Sequence, residues 1–255
     1  MFDSLKIAFS MYSAIPVPGT AWEEKPMRYA MCWFPLIGAA EGAVLYLTHF
    51  ALRRIGAGEI VAAAVGTAVP LLVTGGIHLD GYLDTSDALH SWENAERKLK
   101  ILKDPHVGAF AVIRCAWYMI LYLGAMAAVM TAGPNAVLMM GGVYVLERAL
   151  SGSSVVLFPK AKQDGLAVTF SRSSADRAVT AASAFWAMAA MIWIVFWGKQ
   201  TGAILGAGCL FSYTLYYRTA MKEFHGMTGD LAGWFLQRCE LTGAWIIALA
   251  AMLKI

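Results

Sequence analysis

What most restricts the fold of this chain is the recurrence of apolar stretches near the ~20 residues a helix needs to cross a bilayer core. Seven stand out, at about 30–51, 60–76, 108–132, 136–158, 178–197, 201–219 and 240–254. Inside hydrocarbon every backbone N–H and C=O must be bonded within the protein, so spans of this kind are helices. Hydrophobic residues make up 59% of the chain and charged residues 15%, against about 25% charged in a soluble domain. The expected fold is therefore all-α: one polytopic integral membrane helical bundle covering residues 1–255, with about seven transmembrane helices. The second and seventh stretches are short, so their ends are soft. Cys32, Cys115, Cys209 and Cys239 are scattered without a CxxC pair, which argues against a disulfide framework or a zinc site. The chain holds no phosphate-binding G-x-x-x-x-G-K-[ST], no G-x-S-x-G and no His-Glu-x-x-His. No motif supports nucleic-acid binding, and membrane lipid is the expected surroundings.

Charge distribution gives an expected orientation. With seven spans, the N-terminal segment and the segments 77–107, 159–177 and 218–239 share one face, and the last three include Arg97, Lys103, Lys162, Arg172 and Lys222. That face carries fourteen Lys and Arg residues; the other has Arg53, Arg54, Lys199 and Lys254. Basic residues accumulate on the cytoplasmic side, so the long loops are expected to face the cytoplasm from a cell (inner) membrane. Phe2, Leu5, Phe9 and Tyr12 recur at helical spacing before Pro16 and Pro18, which predicts an amphipathic helix lying on the membrane. A second surface helix is predicted after Ser91 as cap, with Trp92, Ala95, Leu99 and Leu102 on one face and its charges solvated.

The stretch "GGIHLDGYLDTSDALH", residues 75–90, raises the functional question. Asp80, Asp84 and Asp87 are spaced i, i+4, i+7, which on a helix sets three carboxylates on one face. Two unit charges 4 Å apart repel by roughly 4 kcal/mol at an effective dielectric near 20. Protonation, a basic partner or a divalent cation must offset that. An all-oxygen donor set suits a hard ion, Mg²⁺ first and Mn²⁺ second. Gly75, Gly76 and Gly81 would let backbone approach a bulky ligand. Asp104-Pro105-His106 and the group His225, Thr228, Gly229 and Asp230 lie on the same expected face and could converge with the aspartates, although Asp230 also suits a helix N-terminus. Within the spans, Glu41, Arg114, Glu147 and Arg148 should pair or line a polar cavity, because charge at mid-bilayer is costly.

"TGGIHLDGYLDTSDAL" at 74–89, "ILKDPHVGAFAV" at 101–112, "FHGMTGDLAG" at 224–233 and "SAIPVPG" at 13–19 resemble the motifs of the adenosylcobinamide-GDP ribazoletransferase, or cobalamin synthase, family. Their order and spacing extend over nearly the whole chain. The chain departs from the family pattern at Ser13-Ala14, Ala88 and Ala111. The resemblance implies a transferase joining adenosylcobinamide-GDP to α-ribazole, or to its 5′-phosphate, with release of GMP and with Mg²⁺ as cofactor. It implies Asp80, Asp84, Asp87 and Asp104 as metal ligands. Asp84, His78, Asp104, His106 and Asp230 are then the candidates for catalysis. Gly75, Gly76, Lys103, Arg148, Thr228 and Gly229 are candidates for substrate binding. Two other readings compete. A CDP-alcohol-type phosphotransferase would need Ala-Arg where Leu83-Asp84 stand. A cation transporter would hold its acids at mid-membrane.

Overall fold

A computed structural model describes residues 2–19, 24–161 and 175–254. Lys162 and Arg172 lie outside these residues. The elements are α1 (Phe2–Tyr12), α2 (Glu24–Met27), a 3-10 turn (Ala30–Trp33), α3 (Phe34–Arg54), α4 (Glu59–Thr74), α5 (Ile77–His90), α6 (Ala95–Ile101), α7 (Ala109–Thr131), α8 (Pro134–Leu157), α9 (Asp176–Phe224) and α10 (Gly229–Leu253). No β-strand occurs among the described residues. The fold is the expected helical membrane bundle.

α8 is the central helix, packed by α3, α9 and α10. Small residues permit the closest approaches. A β-carbon on Gly42 would lie 2.7 Å from the Gly141 α-carbon, and one on Gly38 would strike the Tyr144 carbonyl. The outer surface presents Leu47, Phe50, Ile60, Leu72, Val112, Ile120, Phe185, Ile192 and Phe211, the apolar face that lipid requires.

α9 is not one straight rod. Lys199 adopts φ 48°, ψ −119° inside it. A β-carbon on Gly206 would collide with the Met191 side chain, and one on Gly202 with the Ile194 carbonyl. In a straight helix residues 191 and 206 would stand ~22 Å apart, so the two halves fold back as a hairpin, matching the separate stretches at 178–197 and 201–219. By length and composition four helical segments are suited to cross a membrane, or up to five if α4 and α5 form one bent span. A count of seven is not reproduced on that measure.

The ends of several elements differ from the sequence reading. α10 begins at Gly229 rather than near 240, because the polar Gln237, Arg238 and Glu240 interrupt the apolar run without interrupting the helix. The second surface helix starts one turn later than expected. Its cap is Asn94, whose side chain accepts a hydrogen bond from the Arg97 N–H at 3.0 Å. Ser91 instead donates to the Ala88 carbonyl at 2.7 Å and closes α5, while Trp92 has φ 58° and is 89% exposed. Nor are all the charges of α6 solvated: Lys98 is buried and pairs with Glu223 at 2.5 Å. A helix forms at α1 as expected, but the residues it buries are Ser4, Ile7 and Ala8 rather than the row Phe2, Leu5, Phe9 and Tyr12, of which Phe2 is exposed.

Candidate functional site at one end of the bundle

The site begins with a sharp turn. Gly75 and Gly76 both have positive φ, 67° and 79°, which L side chains adopt only at a cost. Through them the chain bends by 94° between α4 and α5. α5 consequently turns away from the line of α4 and packs against the first turns of α10 and α7. Two contacts seat it. A β-carbon on Gly81 would be 2.8 Å from the Asp230 carbonyl oxygen, and one on Gly233 would be 2.9 Å from the His78 carbonyl oxygen. The loop carrying residues 225–228 is clamped to the end of α8, with the Met227 N–H donating to the Pro159 carbonyl at 2.8 Å and the Ala161 N–H to the Met227 carbonyl at 3.1 Å. Thr228 then caps α10, its hydroxyl accepting from the Leu231 N–H at 3.2 Å.

This architecture brings Asp230, in the first turn of α10, beside the acidic face of α5. Asp84 is half-buried. Burial first, then the charges of Asp80, Asp230 and Asp87, push its carboxyl up to about 6. Every charged neighbour resolved at Asp84 is therefore another carboxylate. Asp87 has a further neighbour: a side chain at Gly108, the cap position of α7, would collide with its carboxylate. An acid there also suits the partial positive charge of a helix N-terminus.

Other candidates sit elsewhere. Asp104 is exposed, accepts from the His106 backbone N–H at 2.9 Å and contacts the His106 ring at 2.8 Å; its resolved charged neighbours are His106 and Arg97. Lys103 and His106 are exposed on the same loop. His78 is 4% exposed, stands edge-on to Phe34 at 5.8 Å between centroids, and has no hydrogen-bond partner at Nε2. Its burial and the nearby Arg148 hold its ring well below the usual histidine range, so it stays neutral. Gly75 and Gly76 are turn positions and Thr228 is the cap of α10, while Gly229 lines the cavity described below.

Arg148 does not reach the cleft. It is fully buried, donating to Glu41 at 2.6 Å, to Glu147 at 2.9 Å and to the Tyr144 carbonyl at 3.1 Å. Both terminal nitrogens are occupied by internal acceptors, which corrects its expected role on a phosphate. Glu240 of α10 shares the same surroundings and was missed at sequence level. It stood at the supposed edge of a span, and only the earlier start of α10 carries it ~16 Å into the bundle. Arg114, the other charge that the sequence reading set within a span, bonds the His90 ring at 3.1 Å.

The donor chemistry of Asp80, Asp84, Asp87 and Asp230 fits a hard dication: four carboxylates on adjoining surfaces, with mutual repulsion at Asp84. Among the described residues, no three His, Cys, Asp or Glu side chains already converge as a ligand set. Part of the acidic face borders a cavity of about 280 Å³, whose lining includes Tyr12, Phe34, His78, Asp80 and Asp230.

A polytopic helical membrane protein with carboxylates gathered at one bundle end defines the class. Comparison with known proteins narrows it. The cobalamin-5-phosphate synthase family model matches residues 4–248. The chain is 44% identical to the adenosylcobinamide-GDP ribazoletransferase of Lachnoclostridium phytofermentans over 248 residues, 97% of this chain and 94% of that protein. It is 30% identical to that of Clostridium perfringens over 249 residues, 97% and 98% of the two chains. It is also 30% identical to that of Desulfitobacterium hafniense over 243 residues, 93% of each. No solved structure matches. The chain belongs to the cobalamin-5-phosphate synthase family and is a transferase.

Proposed function

We propose that this enzyme joins adenosylcobinamide-GDP to α-ribazole, or to α-ribazole 5′-phosphate, giving adenosylcobalamin or its 5′-phosphate and GMP. A ribose hydroxyl attacks the phosphorus next to cobinamide, the bond to the bridging oxygen breaks, and GMP leaves with that oxygen. The placing of Asp80 and Asp230, from two helices, on the lining of one cavity, with Asp84 close enough to feel the charge of both, is the observation that supports this reading. Phosphoryl transfer asks mainly for positioning and charge neutralisation. Mg²⁺, held by Asp80, Asp84 and Asp230 with Asp87 beside them, would neutralise the pyrophosphate. The carboxylates orient the nucleophilic hydroxyl, and one of them accepts its proton. Lys103, exposed on the neighbouring loop, supplies a cation for phosphate oxygens. Asp104 and His106 form a hydrogen-bonded pair on that loop, where they could meet the phosphates of a bound substrate. The excess of basic residues in the long loops supports a cytoplasmic orientation of this end.

The test is incubation of membranes containing the protein with adenosylcobinamide-GDP, α-ribazole and Mg²⁺. Adenosylcobalamin and GMP should form together, and chelation of divalent ions should stop both. No corrinoid product from correctly inserted protein would refute the assignment.

A further inference from the structure

The cavity beside the aspartates has a definite chemical character. Tyr12 and Phe34 approach to 4.7 Å between ring centroids, and Phe34 and His78 to 5.8 Å. These three rings form an aromatic wall. Met31, Val155 and Leu236 add apolar surface, and Asp80 and Asp230 supply the carboxylates of the lining. Asp80 is exposed while His78, two residues before it, is buried, so the acidic edge is the open one. Beyond the aspartates, the polar side chains of the lining are Tyr12, His78 and Ser151.

From this geometry we propose that the cavity is the seat of the aromatic base of the nucleoside substrate, holding the base among the rings and presenting its ribose to the aspartates. The proposal rests on the reaction given above and adds where one substrate binds. The 280 Å³ of the cavity lies just below the ~300–1,000 Å³ usual for small-molecule pockets. A fused two-ring base fits that space, and a corrin macrocycle does not. Guanine has similar size but carries an amino group, a ring N–H and a carbonyl. The acceptors in the lining that could pair with those N–H groups are chiefly the Asp80 and Asp230 carboxylates, which in the reading above are engaged with the metal, so a guanine here would compete with the catalytic role of the same side chains. A dimethylated benzimidazole has no donor and one acceptor nitrogen, and its methyl groups suit Met31, Val155 and Leu236. Flat rings pack well edge-on or offset against aromatic side chains. The larger cavity, about 410 Å³ between α3, α8 and α9, is lined by Gly42, Gly141, Trp186 and Trp193 among others and contains no carboxylate. It cannot present a ribose to acidic groups.

Steady-state kinetics with each substrate varied in turn test the assignment on Val155→Phe and Val155→Ala. Filling the cavity with Phe should raise KM for α-ribazole at least about tenfold, the usual scale for a misfitted apolar pocket. KM for adenosylcobinamide-GDP should stay unchanged. The milder Ala variant should gain relative activity with a nucleoside of a larger, three-ring base. A rise in KM for adenosylcobinamide-GDP alone would make the cavity a guanine site and overturn the proposal, as would no change in either KM. Wild-type protein that forms no product would overturn the reaction instead. In that event calorimetry of α-ribazole binding to wild type and Val155→Ala still decides the cavity, since loss of the predicted difference between a two-ring and a three-ring ligand would refute it.

Discussion

Single residues here act mostly through charge and through missing side chains. Asp84 is surrounded by carboxylates, so Asp84→Asn removes repulsion as well as a candidate ligand. Turnover should fall roughly 100-fold or more, the scale of one lost contact in a preorganised electrostatic site. In detergent and chelator the same variant should melt above wild type, because the uncompensated charge is gone. Wild-type turnover with Mg²⁺ would remove Asp84 from the reaction. Gly108 makes the opposite kind of case. An added β-carbon there would meet only the Asp87 carboxylate, the end of a rotatable side chain, so Gly108→Ala should change stability by no more than about 0.5 kcal/mol while turning Asp87 aside. A thermal melt measures that, and activity should drop without a matching fall in melting temperature as Asp87 is displaced.

Helices and turns set the geometry on which those residues depend. The bend between α4 and α5 rests on two consecutive residues with positive φ. Around Gly76 no atom lies within 4 Å of an added β-carbon, so the cost of Gly76→Ala is purely conformational, about 1–2 kcal/mol. Gly76→Asn should recover part of the loss, since Asn tolerates the left-handed region; chemical denaturation in micelles would compare the two. Local sequence made this element readable: an i, i+4, i+7 row of aspartates after a Gly-Gly pair is a helix with an acidic face. The start of α6 was not readable, because Ser91 and Asn94 are both good caps. Ser91 was drawn into closing α5 while Asn94 capped the new helix.

Across the whole molecule, the buried charges bind the bundle together. Arg148 of α8 holds Glu41 of α3 and Glu147 of its own helix, with Glu240 of α10 close by. Arg148→Met would leave buried carboxylates without their cation, a loss of about 3–5 kcal/mol. The melting temperature should fall sharply, and Glu41→Gln in the same chain should restore part of it. If Arg148→Met melted like wild type but lost substrate affinity, Arg148 would be a substrate ligand after all. The arginine was conspicuous in sequence as a charge in an apolar run, but its partners lie 107 residues away and next door, and no spacing rule joins them.

By itself, the sequence determined the material of this protein: apolar runs that must be helical in lipid, an acidic row on one helix, and motifs sufficient to indicate the family. Those are local properties, carried by periodicity and composition. Tertiary structure alone decided which charges meet. It brought Asp230 to Asp80 and Asp84 through the close approach of Gly81 and Gly233, and it kept Asp104 on a loop with His106. It also withdrew Arg148 into the bundle. The reason is physical: convergence depends on how closely two backbones can pack and on how far a helix continues, and both are set by contacts between residues remote in the chain.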